Sequence, residues 1–366
     1  MLNEAFVGTH WTALPTPCLV IDMEALDHNI STMASFAAKA GRALRPHVKS
    51  HRCGRIAQLQ LSAGAVGVTC AKMGEAEAMA EAGVKSILIA NQIVAPGKIK
   101  ALAGLNRYCE AMPAVSSSEN AEDISREAVA FGVQIPVFIE IDAGINRSGV
   151  REAGAAAKLA ERICALPGIS LKGIMAYEAR GLTGDFDHRQ RVAHSQKMLE
   201  EALKGVELIE KNICPVEILS CASTGTAKYT SQISRVSELQ PGSYVFGERA
   251  YDIGDIGLPL KQALFVIAGV TFALGGRMIL NSGRKSIGID QGPPALAGSP
   301  SVEVECHEEH AVLDLPQGYP PYKPGDVLEL VPGHCCTTAN LHDHYFCLRG
   351  GVVEAVWSVN GRGRSY

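Results

Sequence analysis

Over the first two-thirds of this 366-residue chain, short β-branched runs alternate about eight times with longer stretches rich in Ala, Glu and Leu. Each strand-then-helix step covers one face of a sheet with a helix. A long run of such steps leaves few architectures open, and all of them contain a parallel sheet. The strand candidates are Cys18–Asp22, Ala43–Val48, Val66–Cys70, Ser86–Ala90, Arg107–Met112, Val137–Asp142, Leu171–Tyr177 and Val216–Ser220. Helical candidates between them are Met23–Ala40, Gly74–Ala82, Ser118–Phe131, Arg151–Ala165 and His188–Lys211. A doubly wound open sheet would alternate in the same way, so closure into a barrel is inferred from the repeat count. In a barrel the chemistry sits where the strands end, which makes polar residues at C-terminal strand ends the ones to inspect.

After about residue 250 the pattern changes. Ala263–Ala273, Arg277–Leu280, Ser301–Cys306, Ala311–Leu313, Asp326–Val331, Tyr345–Leu348 and Val352–Val356 read as short strands between Gly/Pro turns, and helical periodicity largely disappears. The expectation is therefore an α/β chain in two parts. Residues 16–249 would form a (β/α)8, TIM-like barrel, and residues 250–366 a mainly antiparallel β domain with residues 1–15 packed on it.

Composition sets the class of partner. The chain is 47% hydrophobic and 20% charged, enough apolar material for a sizeable core. Its formal net charge is -4 and its pI about 6.3, with no dense basic run, so neither nucleic acid nor an anionic membrane is expected as partner. The N-terminus carries Glu4 and lacks a basic segment followed by an apolar one, and no window approaches a membrane span. Eleven scattered cysteines without a C-x-x-C pair then suggest reduced thiols in a cytoplasmic protein.

The run Arg45-Pro46-His47-Val48-Lys49-Ser50 closes the second strand candidate. A lysine at the end of a buried strand either reaches solvent or is a desolvated amine whose lone pair is available for imine formation. In an extended strand Arg45, His47 and Lys49 would share one face, and three such groups call for an anion such as a phosphate. Glu140, Asp142 and Arg147 fall in a second strand end, EIDAGINRSG, where the two carboxylates would alternate inward. Two loops rich in small residues, Ser223-Thr224-Gly225-Thr226 and Gly242-Ser243-Tyr244, follow the last barrel strand. Such loops let backbone N–H groups approach a phosphate closely. In the β domain, PGHCCTTANLHDH places His334 and Cys336 on one face if extended, a workable pair of metal ligands, with His342 and His344 as a second candidate pair.

Taken as an ordered set, TPCLVID, RPHVK, EIDAGINRSGV, STGT, PGSYVF, PGHCCTTANLHD and the tail VWSVNGRG resemble the D-threonine aldolase and D-serine dehydratase family, alanine-racemase-like in its barrel. The resemblance runs from about residue 16 to the C-terminus and is strongest to the 3-hydroxy-D-aspartate aldolases. It implies pyridoxal 5'-phosphate held by Lys49 as a Schiff base, with His47 beside it. Arg147 would face the pyridine nitrogen, and Tyr177 would be an active-site aromatic. Ser223, Thr224, Gly225, Thr226, Gly242, Ser243 and Tyr244 would form the phosphate cradle. It also implies a divalent metal (Mn, Mg or Zn) on His334 and Cys336, and a homodimer. The reaction implied is cleavage of a small D-β-hydroxy amino acid to glycine and an aldehyde. The alternative is a dehydratase for D-serine or D-3-hydroxyaspartate, giving a 2-oxo acid and ammonia.

Two positions depart from the family pattern. The aldolases commonly carry aspartate where this chain has Cys336, and a thiolate favours zinc and resembles the dehydratase branch. A frequent V-D-A-G turn appears here as Leu280-Asn281-Ser282-Gly283, without its carboxylate.

Overall fold

The computed structural model describes residues 3–178, 186–247, 257–319 and 321–366. They divide into two compact units: Met33–Lys49, Ile56–Gly242 and Arg364–Tyr366 form one, and Met1–Thr32, Ser50–Arg55 and Ser243–Gly363 the other. The boundary expected at 249–250 lies outside the described residues. No helix among them is long and apolar enough to cross a membrane, and all eleven cysteines are free.

The first strand, β1 (Cys18–Asp22), leads into α1 (Met23–Lys39). The barrel elements follow: β2 (Ala43–Leu44), α2 (Gly54–Ser62), β3 (Val68–Cys70), α3 (Met73–Glu81), β4 (Ser86–Gln92), α4 (Pro96–Leu105), β5 (Glu110–Val115) and α5 (Ser118–Phe131). After them come β6 (Ile135–Ile141), α6 (Ala153–Cys164), β7 (Ile169–Ala176), α7 (His188–Met198), α8 (Glu200–Asn212), β8 (Ile218–Cys221), α9 (Ala227–Thr230) and β9 (Glu238–Leu239).

These eight strands pair in the order β2-β9-β8-β7-β6-β5-β4-β3, every pair parallel. The two edges then meet. Val66 N–H donates to Leu44 O at 2.9 Å and Thr69 N–H to Pro46 O at 2.8 Å, and His47 bridges Thr69 in parallel register. Among the described residues the sheet thus closes on itself as a barrel. Leu88, Met112, Ala114, Phe138 and Met175, from four neighbouring strands, pack into one fully buried cluster. Burying side chains of this size contributes roughly 1.5–3 kcal/mol each for the larger ones.

Local chemistry explains the best-defined helix. Ser117 Oγ accepts from Asn120 N–H at the start of α5, and Gly132, at φ 64°, ends it in the left-handed conformation that glycine adopts without strain.

Several strand and helix expectations need correction. Cys18–Asp22 is not a barrel strand: β1 pairs in the other unit, and β9 completes the barrel instead. A continuous apolar run suits any strand covered on both faces, and two residues of β9 are too few to show a period. Ala43–Val48 is a strand only over Ala43–Leu44, because Pro46 has no N–H to donate and disfavours a regular continuation; Val48–Ser50 is a 3₁₀ turn. His188–Lys211 splits at the buried Leu199, which ends α7 and precedes α8.

In the other unit, β10 (Leu264–Leu274), β11 (Arg277–Leu280), β12 (Ala295–Leu296), β13 (Ser299–Glu303), β14 (Glu305–Cys306), β15 (Ala311–Asp314) and β16 (Val327–Val331) are followed by α10 (Cys335–Ala339), β17 (His344–Arg349) and β18 (Val352–Ser358). The main path runs β13-β12-β16-β10-β1-β17-β18; β11 joins β10 to β15, and β14 pairs with β15. Among the described strands of this sheet only β1 with β17 is a parallel pair, so the sheet is mixed and mostly antiparallel. The expected strand Ser301–Cys306 spans two strands here, β13 and β14. Leu14, Cys18, Val20, Ile267, Phe346 and Val353 form its buried cluster, and Phe6 meets Phe346 edge-on at 5.9 Å between centroids.

Candidate active site

A cavity of about 280 Å³ opens in the barrel unit where strands end, lined by His47, Lys49, Lys72, Arg147, Tyr177 and Gln240 among others. They arrive from the segments after five strands, His47 and Lys49 both after β2 and the others after β3, β6, β7 and β9. Lys49 Nζ stands 5.7 Å from the Tyr177 ring centroid, and Arg147 Cζ stands 5.4 Å from the same centroid. One aromatic ring is thus approached by an amine and a guanidinium, at distances where the ring quadrupole attracts both. Lys49 N–H donates to His47 Nδ1 at 3.4 Å, so the imidazole helps shape the turn that presents the amine.

Arg147 is placed by a tight turn. Asp142 Oδ1 accepts from the N–H groups of Ile145 and Asn146 at 2.9 and 3.1 Å. Asp142 N–H and Val150 N–H each donate to the opposite side of the loop. Gly149, at φ 104°, has no room for a side chain, since a Cβ there would lie 2.6 Å from Asp142 N. Asp142 is therefore a turn-former, which corrects its expected inward role. Glu140 does point inward. It is buried, accepts from Ser148 Oγ at 3.0 Å and from Gln92 Nε2, and lies 3.6 Å from Arg147 Nη2.

Arg45 also departs from expectation. It does not share a cofactor-facing surface with His47 and Lys49. Its guanidinium is buried, donating from Nε to Glu238 Oε2 at 2.8 Å and from Nη1 to Ser86 Oγ at 3.0 Å. The anion that this cation requires is a carboxylate of β9.

The loop after β8 is built on a buried carboxylate that spacing did not reveal. Glu178, next to Tyr177, accepts from Ala222 N–H at 3.0 Å, Thr226 Oγ1 at 2.8 Å and Thr230 Oγ1 at 2.6 Å. Thr226 Oγ1 in turn accepts from Ser223 N–H at 2.9 Å. Ala222 is held at φ 75°, a conformation unusual for a residue with a Cβ. Ser223, Thr224 and Thr226 are buried and Gly225 half-buried. Of the second loop, Gly242 closes the barrel unit, whereas Ser243 and Tyr244 belong to the other unit, where Tyr244 is fully buried.

In that other unit His334 and Cys336 are not on a strand. His334 caps α10, and Cys336 lies in its first turn, 3.6 Å by its Sγ from Ser50 Oγ. The alternation expected of an extended segment therefore does not apply. His334 Nδ1 bonds Asp290 Oδ2 at 2.5 Å, and Thr337 Oγ1 donates to Asp290 Oδ1 at 2.5 Å. Burial works to raise the Asp290 carboxyl, but the hydrogen bonds from Thr337 and His334 and the histidine charge outweigh it and hold it below the usual range. Asp290 lies 44 residues before His334 and has no periodic relation to it, so the sequence held no signal for the pair. His342 serves the structure: its Nε2 bonds Ser286 O at 2.7 Å, and burial lowers its pKa. Asn281, in the departing turn, accepts from Gly269 N–H at 2.8 Å and donates to Thr16 Oγ1 at 2.9 Å. Among the described residues, no three His, Cys, Asp or Glu side chains gather as a metal cluster.

Comparison with known proteins gives matches along the whole chain. Residues 21–250 match the family model of the alanine racemase N-terminal domain, and residues 263–348 that of a putative serine dehydratase domain. The 3-hydroxy-D-aspartate aldolase of Paracoccus denitrificans (strain Pd 1222) is 34% identical over 377 residues, covering 99% of this chain and 96% of that protein. The D-threonine aldolase of Arthrobacter sp. is 34% identical over 366 residues, covering 98% and 95%. The crystal structure of D-threonine aldolase from Filomicrobium marinum matches with a TM-score of 0.94 at 31% identity, covering 98% of both chains.

Proposed function

The chain belongs to the family of the alanine racemase N-terminal domain, here followed by a stretch that matches the model of a putative serine dehydratase domain, and from that premise we propose that it is a carbon–carbon lyase of D-β-hydroxy amino acids. Its substrates would be of the 3-hydroxy-D-aspartate or D-threonine type, and its products glycine and an aldehyde. The observation that carries this reading is the one cavity in which Lys49 and Arg147 face the same Tyr177 ring, at the strand ends of a barrel.

The donor set suits pyridoxal 5'-phosphate. Lys49 offers the amine, Arg147 a permanent cation that can only donate to a ring nitrogen, and Ser223 to Thr226, with Gly242, small residues for a phosphate. When bound, the cofactor would supply a sink for the electrons left on Cα as the Cα–Cβ bond breaks. This chain's residues do the positioning. Tyr177 and Arg147 define where a planar group stacks, and Glu140 holds Arg147 to that place. Glu178 keeps the loop after β8 in its left-handed turn. His47 supports the lysine turn.

His334 and Cys336 also carry donors that suit a divalent ion, which would acidify a hydroxyl bound to it. Asp290 fits this reading: with the imidazole neutral, it accepts the Nδ1 proton of His334 and so fixes the tautomer whose Nε2, 3.3 Å from Gln291 Nε2, would carry the lone pair offered to a metal. Asp290→Ala is therefore expected to weaken binding of Zn²⁺ or Mn²⁺ by about 10–100-fold in a chelator competition titration. Unchanged affinity would remove Asp290 from the site.

Cys336 favours the second reading, a dehydratase, because a thiolate partners zinc rather than manganese or magnesium. Product analysis decides. Glycine released from 3-hydroxy-D-aspartate or D-threonine, lost with chelator and restored by metal, is expected. A 2-oxo acid and ammonia in its place would establish the dehydratase, and activity indifferent to chelator and to His334→Ala would remove the metal.

A further inference from the structure

When the polar groups of the Lys49 cavity, the Lys49 amine itself set aside, are sorted by what already engages them, one described cation is left over. Glu140 is taken up by Ser148, Gln92 and Arg147. Asn91 Nδ2 donates to Ala71 O at 2.9 Å, and Gln240 Nε2 to Ser220 Oγ at 2.7 Å. Lys72 lines the same cavity and is half-buried, yet among the described residues no carboxylate oxygen lies within 4.0 Å of its ammonium. A lysine drawn partly out of water without a counter-charge is unfavourable unless a ligand brings one.

The backbone beside it is held firmly. Ala71 N–H donates to the carboxylate of the buried Glu75 at 2.6 Å, while Ala71 O accepts from Asn91. Lys72 itself is extended (φ −141°, ψ 157°) just before α3. The fold thus fixes the root of the side chain and leaves its charged end uncommitted. Arg147, the other candidate receptor, is engaged by Glu140 and by the Tyr177 ring.

We propose that Lys72 is the cavity's receptor for a carboxylate of the amino-acid substrate. The proposal rests on reading this cavity as the active site. Two carboxylates share that chemistry: the α-carboxylate present in every amino acid, and the side-chain carboxylate of a 3-hydroxyaspartate-type substrate.

The test uses the cofactor-loaded protein and two unreactive probes, D-alanine and D-aspartate, whose dissociation constants are read from the change in cofactor absorbance. Lys72→Met is expected to weaken binding by about 10–100-fold, the value of a hydrogen bond to a charged group, and Lys72→Arg to recover part of it. Loss for both probes assigns the α-carboxylate; loss for D-aspartate alone assigns the side-chain carboxylate. In either case KM rises more than kcat falls for the corresponding substrates. Unchanged affinity for both probes, or a loss confined to the affinity for pyridoxal phosphate, overturns the proposal. If the unaltered protein binds the probes but releases no glycine from any D-β-hydroxy amino acid, the aldolase reading fails while the Lys72 assignment is still decided by the binding data.

Discussion

Lys49→Ala is expected to abolish turnover, lowering it by on the order of 10⁴-fold or more, as removal of a group that makes the covalent link commonly does. The same variant is expected to lose the visible absorbance band that the protein acquires with pyridoxal phosphate. Both effects follow from one amine in one place: Lys49 Nζ is held 5.7 Å from the Tyr177 centroid in a cavity that also presents Arg147. Folding should be nearly unaffected. The lysine is half-buried, with the Tyr177 ring beneath its ammonium, a contact worth roughly 0.5–1 kcal/mol at a partly exposed site. A melting temperature close to that of the unaltered protein would separate lost chemistry from lost structure. Activity within tenfold of normal, or an unaltered absorbance band, would mean that the cofactor is anchored elsewhere.

The second large effect concerns stability. Glu238→Ala is expected to destabilise the barrel by about 3–5 kcal/mol, the usual cost of stripping one partner from a buried ion pair. The Arg45 and Glu238 side chains are 5% and 2% exposed and meet at 2.8 Å. Ser220 Oγ donates to the other Glu238 oxygen at 2.6 Å. Without the carboxylate, Arg45 keeps, among the described residues, the Ser86 hydroxyl, which cannot neutralise it. The guanidinium has no retreat, because it fills the space beside Gly67, where even a Cβ would come within 2.2 Å of Nη1. Denaturant unfolding followed by far-ultraviolet circular dichroism measures the loss. Glu238→Gln should cost less, since its amide oxygen can still accept from Nε. A Glu238→Ala loss below about 1 kcal/mol would show that water reaches Arg45 and that the pair is not truly desolvated.

How far the site could be read in the sequence depended on the range of the interaction involved. α5 was legible at both ends because its limits come from residues beside it, Ser117 and Gly132. Lys49 and Arg147 could be singled out because polar residues at barrel strand ends converge at one mouth whatever the details of packing, whereas Tyr177 was marked by the family resemblance alone. Asp290 could not, since its role exists only through contact with His334, and nothing in local propensity marks it. Glu178 was hidden in the same way beside a tyrosine that attracted notice, and Lys72 beside a strand of only three residues.

Alternation of strand and helix, visible in the chain itself, dictated a parallel sheet and hence where chemistry would sit, because hydrophobic period and helix length are local properties. Which strands close the barrel was decided by tertiary pairing. The apolar run of β1 fits the middle of either sheet equally well, and only its partners β10 and β17 place it. The division of the cations was decided the same way. Arg45 and Lys49 are four residues apart with equal claim on an anion, yet β9 brings Glu238 to Arg45 and leaves the Lys49 amine above an aromatic ring. A buried charge takes whatever counter-charge folding delivers to it, and that delivery spans 193 residues of chain here.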